Sequence, residues 1–357
     1  MFSNMTRLLM REGQPVMQLH MMVWYGLLTV LCTTLLCAGV QAGCLDQERL
    51  LGVNLSGAEF GHDRLPGVLN KDYVYPSRKD LAYFRGLKMN VVRVPFRWER
   101  LQKQINSALD PSELVQLQRV VAWATELDLC VLLDMHNFGA HHGRNLGSPG
   151  LPAGAFTDVW LRLHREFDRP DRVAFGLMNE PAPLPVAQWM AIAQQTVLAL
   201  RQAGAKHLLL VSSGRWSGAH EWATQFDGAS AATGFRNFRD PLNNFAFEVH
   251  QYADANYSGT GSTCIDPAQL RTLMTNITSW AKQENKRLFL GEFGVASSSN
   301  CLAALTALLE SMQDPGAWLG WTYWSAGPWW GSYPFSIQPG DGETAPQTNV
   351  LRAFLPG

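Results

Sequence analysis

The chain is poor in charge. Of its 357 residues, 17% are Asp, Glu, Lys or Arg, and the formal net charge is −1. The body carries no run of Lys or Arg, which removes the electrostatic footprint of a nucleic-acid binder. Cysteine is scarce, six in all, and its spacing matches no zinc pattern. No Gly-x-Gly-x-x-Gly follows the first apolar run, so a dinucleotide fold has no support. No His-x-x-x-His pair argues for a catalytic metal, and neither a metal nor a cofactor is expected. No Pro- or Ser-rich linker, short repeat or low-complexity tail divides the body, so one domain over residues 44–357 is the simplest organisation. What is plentiful is apolar: 46% of residues are hydrophobic and 13 are Trp. That composition describes a globular protein with a large core. An excess of Trp and Gly in loops also suits a site that stacks flat ligands.

The N-terminus differs from the rest. Arg7 and Arg11 precede the uncharged stretch "MMVWYGLLTVLCTTLLCAGVQA", residues 21–42. It reads as a secretory signal, with cleavage after Ala42 and with Met17 or Met21 as possible true starts. The alternatives are a membrane anchor, since the run is near spanning length, or lipidation of Cys44. Export would leave four cysteines, Cys44, Cys130, Cys264 and Cys301, in an oxidising compartment.

Eight short apolar runs cross the body: 51–58, 90–96, 130–137, 173–181, 207–214, 244–252, 287–294 and 318–324. Continuous apolar runs suit strands buried on both faces, as in a parallel sheet. Helical patterns over 111–127, 186–204 and 267–285 fill some of the gaps. Eight alternating β/α units predict a closed (β/α)₈ barrel of the TIM type, with a doubly wound open sheet as the alternative.

The strands end on polar residues. Asn54 closes the first, and Arg93 lies in the second. His136 and Asn137 end the third, and Asn179 and Glu180 the fourth. His250 and Tyr252 end the sixth, Glu292 the seventh and Trp324 the eighth. Each alone has an ordinary structural role open to it: an ion pair, a core histidine, a turn cap. In a parallel barrel, however, all these ends lie on one face, where barrel enzymes do their chemistry. Two glutamates there point to glycoside hydrolysis, in which one carboxyl donates a proton and the other stays ionised. Their surroundings must push their pKa values apart.

The segments "GVNLSGAEFG", "NVVRVPFRWERLQ", "DMHNFG", "LMNEP", "GRWSGAHEW", "FEVHQYAD", "GEFG" and "YWSAGPWWG" occur in an order that resembles the cellulase family, glycoside hydrolase family five. The resemblance is to its bacterial and fungal endoglucanase branch and spans nearly the whole body. It implies a retaining double displacement on β-1,4-glucan, with Glu180 as acid/base and Glu292 as nucleophile. Arg93, His136, Asn179, His250 and Tyr252 match the remaining catalytic positions. Substrate contacts are expected from Trp324, Trp216, Asn54, Asn137, His142 and Trp329, with Trp324 and Trp216 as stacking platforms rather than core fillers. The "NFGAHHGRNLGSPG" loop departs from the branch and leaves open what His142 and Asn145 touch. Mannan, xylan or mixed-linkage glucan are alternative substrates, and a non-catalytic sugar-binding barrel is the competing class. A polysaccharide is the expected partner, with no nucleic acid and no protein partner, and the protein is expected to be a monomer. Cys264–Cys301 is the expected disulfide, joining neighbouring loops on one face, as similar enzymes do. Cys44 pairing with Cys130 at the opposite face is a further expectation.

Overall fold

The computed structural model describes residues 47–340 and 344–356. The signal segment, its cleavage after Ala42 and the fate of Cys44 lie outside the described residues. In chain order the elements are β1 (Leu50–Leu55), α1 (Arg78–Gly86), β2 (Val91–Phe96), α2 (Trp98–Leu101), α3 (Pro111–Glu126), β3 (Cys130–Met135), β4 (Ala140–His141), β5 (Arg144–Asn145) and α4 (Ala153–Glu166). There follow β6 (Val173–Gly176), α5 (Val186–Gln202), β7 (Leu209–Ser212), α6 (Ala231–Gly234), β8 (Phe245–His250), α7 (Pro267–Gln283), β9 (Leu288–Glu292), α8 (Ser299–Glu310), β10 (Trp318–Ala326) and α9 (Pro346–Arg352).

Eight of these strands close into a barrel in the order β1-β10-β9-β8-β7-β6-β3-β2. Their pairings are parallel throughout. This is the (β/α)₈ barrel expected from the alternation of apolar runs and helices. The antiparallel ribbon β4–β5 is an insertion after β3 that the sequence pattern does not reveal. Several helices start where local chemistry dictates. Asp110 caps α3 by accepting from the backbone N–H of Ser112 and Glu113, and Pro111 follows at the first helical position. Asp266 and Pro267 repeat the device at α7.

Apolar residues of each strand face two ways. One set, including Leu51, Val53, Val92 and Val94, packs outward against the helices. The other set points into the barrel: Leu50, Val91, Cys130, Leu132, Ala174, Leu208, Leu210, Ala246, Phe289 and Leu319 form a separate plug. This alternation follows from the twofold period of the strand. Most observed strands stop short of the expected ends, because polar residues after the last ladder bond turn away into loops; β2 ends at Phe96 as expected, and β10 runs two residues further, to Ala326. Residues 173–181 are strand only as far as Gly176, and Glu180 lies beyond in a left-handed conformation with φ 39°. A non-glycine residue held there stores backbone strain, a feature that clusters at functional sites.

Candidate active site

Above the apolar plug, the inward positions become polar. On β2, Val91 is followed by Arg93. On β3, Leu132 is followed by Asp134 and then His136. On β8, Ala246 is followed by Glu248 and then His250. Arg93 is fully buried at the centre of this layer. Its Nη1 donates to Asn54 Oδ1 at 2.8 Å and to Glu292 Oε1 at 2.9 Å. Its Nη2 donates to Asn179 Oδ1 at 2.9 Å and lies 3.0 Å from Asp134 Oδ1. Its Nε lies 2.9 Å from Glu248 Oε1. One guanidinium is therefore shared among three buried carboxylates.

The two strand-end glutamates come together. Carboxylate oxygens of Glu180 and Glu292 and the Nδ1 of His250 all lie within 4.8 Å of one another. His250 Nδ1 contacts Glu180 Oε1 at 2.7 Å, and the Tyr252 hydroxyl donates to Glu292 Oε2 at 2.8 Å. Such a trio of donor atoms could in principle hold a cation, but the imidazole already supplies one. Burial opposes its charge, yet Glu292, Glu180 and Glu248 outweigh burial and push His250 up to about 10.

The same surroundings drive the glutamates apart. Burial raises the Glu180 carboxyl; His250 pulls the other way, and the charge of Glu292 adds to the rise. Burial would raise Glu292 as well, but His250, Arg93, His136 and the Tyr252 hydroxyl together hold it below the usual glutamate value. His136 is raised in turn. Burial resists, but the Asp134 carboxylate 2.8 Å from its Nδ1 prevails. One carboxyl is thus biased to keep its proton and its neighbour to lose it, the pairing that acid–base chemistry requires.

Two cavities flank the pair. One, of about 350 Å³, is lined by Glu180, Trp216, His220, His250, Tyr252 and Tyr257 among others. The other, of about 640 Å³, is lined by Glu59, Phe60, Arg97, Glu99, His136, Asn137, Phe138, Trp216, Trp324 and Trp330 among others. Trp216 borders both and is 52% exposed. Glu180 lines the smaller cavity and His136 the larger, so the wall of Trp216 common to both makes them two parts of one trough beside the cluster.

A family model matches at this point: the cellulase model of glycosyl hydrolase family 5 covers residues 53–328. The chain belongs to this cellulase family. Endo-β-1,4-glucanase B of Aspergillus niger is 33% identical over 307 residues, covering 85% of this chain and 89% of that protein. The endo-β-1,4-glucanase Xac0029 of Xanthomonas axonopodis pv. citri has a TM-score of 0.84 at 40% identity, covering 86% of this chain and 98% of that one. The structure of XacCel5A in complex with cellopentaose also has a TM-score of 0.84, at 41% identity, covering 86% of this chain and 100% of that one.

Within this cellulase, the residues expected at the site fall into three groups. Arg93, His136, Asn179, Glu180, His250, Tyr252 and Glu292 form the connected cluster just described. Asn137, Trp216 and Trp324 line the trough. Trp324 corrects a simple expectation. At 8% exposure it is largely buried, packed between His136 and Trp330, so it serves the core as well as the cavity wall. Asn54 is also displaced from its expected role: it is fully buried, and its Nδ2 donates to the carbonyls of Gly291 and Thr322 while its Oδ1 accepts from Arg93. It holds Arg93 rather than facing the trough. Trp329 lines neither cavity, whereas its neighbour Trp330 does. His142 is exposed beside a different hollow of about 310 Å³, with Lys103 and Arg144.

Sequence reasoning does not single out Asp134 and Glu248, though the signal exists. Each is a charge inside an apolar strand, two residues before a candidate histidine and so on the same face. Glu59 carries no such signal. Burial raises its carboxyl, and it borders the larger cavity from the loop after β1.

Cys264 and Cys301 are joined, with Cα atoms 5.2 Å apart. The bridge ties the loop after β8 to the first turn of α8. Cys130 is disulfide-bonded too, but the expected partner, Cys44, lies outside the described residues. Among the described residues no helix is long and apolar enough to cross a membrane.

Proposed function

We propose that this cellulase is a retaining endo-β-1,4-glucanase, with Glu292 as nucleophile and Glu180 as acid/base. One observation carries the reading: carboxylate oxygens within 4.8 Å of each other, on groups whose surroundings push their protonation in opposite directions. Retaining enzymes hold their carboxyl groups about 5–5.5 Å apart, whereas inverting enzymes need ~6.5–9.5 Å to admit a water.

In the first step Glu292 attacks the anomeric carbon and forms a glycosyl ester. The bond to the leaving oxygen breaks as that oxygen takes the proton of Glu180. Esterification removes the negative charge of Glu292, so the bias that kept Glu180 protonated weakens. Glu180 then accepts a proton from water as the water attacks the same carbon, and Glu292 leaves as carboxylate. Arg93 and Tyr252 hold Glu292 in place, and Asn179, fixed by Arg93 beside Glu180, is assigned to the sugar hydroxyl next to the reaction centre. Export through the N-terminal signal belongs to the same reading, since a polymer is met outside the cell.

One cavity lies beside Glu180 and a second beside His136 and Trp324, with Trp216 on the wall of both, which supports attack within a chain rather than at its end. The reading is tested by reducing-sugar release from carboxymethyl-cellulose, mannan, xylan and mixed-linkage glucan. β-1,4-Glucan is expected to be cut fastest, with a fall in viscosity early in the reaction. Faster release from mannan or xylan would reassign the substrate. No release from any of them would favour a binding barrel.

A further inference from the structure

Glu248 stands beneath the reaction centre and cannot touch a substrate. It is fully buried in mid-β8, two residues below His250. Its Oε1 lies 2.9 Å from Arg93 Nε and 3.7 Å from His250 Nε2. No described residue donates an in-line hydrogen bond to either of its oxygens. A carboxylate so placed is expensive to bury, and buried ion pairs are weak contributors to stability compared with apolar packing of the same volume. The layer directly below it is filled by just such apolar side chains.

The neighbouring strand is shaped around this carboxylate. A Cβ on Gly291 would fall 2.1 Å from Glu248 Oε1. Gly291 does not adopt a positive φ, so its backbone does not demand glycine. What demands it is the space taken by Glu248, one residue before the nucleophile Glu292.

We propose that Glu248 is a positioning residue for the proposed hydrolysis, and that Gly291 is glycine in order to admit it. Glu248 holds the Nε edge of Arg93, whose Nη1 grips Glu292 and whose Nη2 grips Asn179. It also faces the far ring nitrogen of His250, whose near nitrogen meets Glu180. The other charged groups around His250 are Glu180 and Glu292, so the imidazole is framed by carboxylates on three sides. One buried charge thereby orients a support for each of the two glutamates.

The inference rests on the glucanase reading, and the two fail separately. The test compares the parent with Glu248→Gln, which keeps the volume and removes the charge. On carboxymethyl-cellulose the variant should lose about 10–100-fold in kcat, the scale of a lost contact between charged groups, with KM little changed. Independently of turnover, the ring ¹⁵N resonances of His250 should move. An inactive parent with a displaced His250 signal would sink the glucanase reading and keep the positioning one. Unchanged kcat with an unchanged ring signal would overturn the positioning role, as would a lowered melting temperature at full activity. Gly291→Ala should reproduce the loss of kcat in the presence of Glu248 and add little to Glu248→Ala. Additive losses in that pair would overturn the link between the two residues.

Discussion

Leu132 and Asp134 sit two residues apart on β3, both buried and both pointing into the barrel, yet they belong to different worlds. Leu132 is part of a dry plug that extends across the strands at the lower end. Asp134 touches Arg93 and His136 in a layer of charged and amide side chains. The lower layer stabilises by removing apolar surface from water, which needs no particular orientation. The upper layer must offset the desolvation of every charge with a partner. It does so by balance: Asp134, Glu248 and Glu292 are matched by Arg93 and two histidines, both pushed toward the protonated form. In this barrel the charged site rests on a floor without charges, and a change at each level should have a different signature.

The largest effect is expected at the top. Glu292→Gln should lower turnover by ~10⁴-fold or more, as loss of a covalent nucleophile does in other hydrolases, with the melting temperature little altered. A fall of less than ~100-fold on carboxymethyl-cellulose would contradict the nucleophile assignment. Glu180→Gln should cost ~10²–10⁴-fold on glucan, the range of general acid–base catalysis. It should spare the first step on a dinitrophenyl cellobioside, whose leaving group needs no proton, and abolish the alkaline limb of the pH profile. Equal loss on both substrates would reject the acid role.

Outside the charged layer, effects should appear in stability and leave chemistry alone. Replacing Cys264 and Cys301 by Ala opens a loop of 37 residues, with an expected loss of about 3–4 kcal/mol by loop entropy. The melting temperature reports it, and an unchanged value would mean the bridge constrains little.

The smallest effect concerns His207, just before β7. It stacks on Phe175 at 4.2 Å, meets His164 edge-on at 5.4 Å and has Nε2 2.7 Å from the Phe167 carbonyl. Burial lowers its pKa to about 4. A histidine depressed in the folded state binds its proton first in the unfolded chain. Its contribution is therefore complete above the ordinary value of ~6.5 and is lost as pH falls toward 4. The slope is at most ~1.4 kcal/mol per pH unit across that window. His207→Gln should flatten this part of the melting-temperature curve between pH 7 and 4.5. An equal slope in parent and variant would place the acid sensitivity elsewhere, in the upper layer.

The apolar runs made the barrel legible, because a strand buried on both faces writes its burial into consecutive residues. Glu180, Glu292, Arg93, His136 and His250 were legible because a charge in or at the end of such a run is costly to bury and so marks a place where charges meet. The short ribbon β4–β5 left no trace, since two-residue strands have no period. The Trp pair shows the limit of local reading. Trp329 and Trp330 are neighbours in one Gly-bounded loop, and only the course of that loop decides that Trp330 lines the trough.

The chain alone determined which residue types meet at one end of the barrel, because strand direction and alternation are local properties that add up around a closed sheet. Which glutamate keeps its proton was decided by tertiary structure. Glu292 is held ionised against burial by His250 and then by Arg93, the latter 199 positions away, and Glu180 faces His250, 70 positions away. Spacing along a chain carries no distances between loops, and a pKa depends on those distances and on what water can reach.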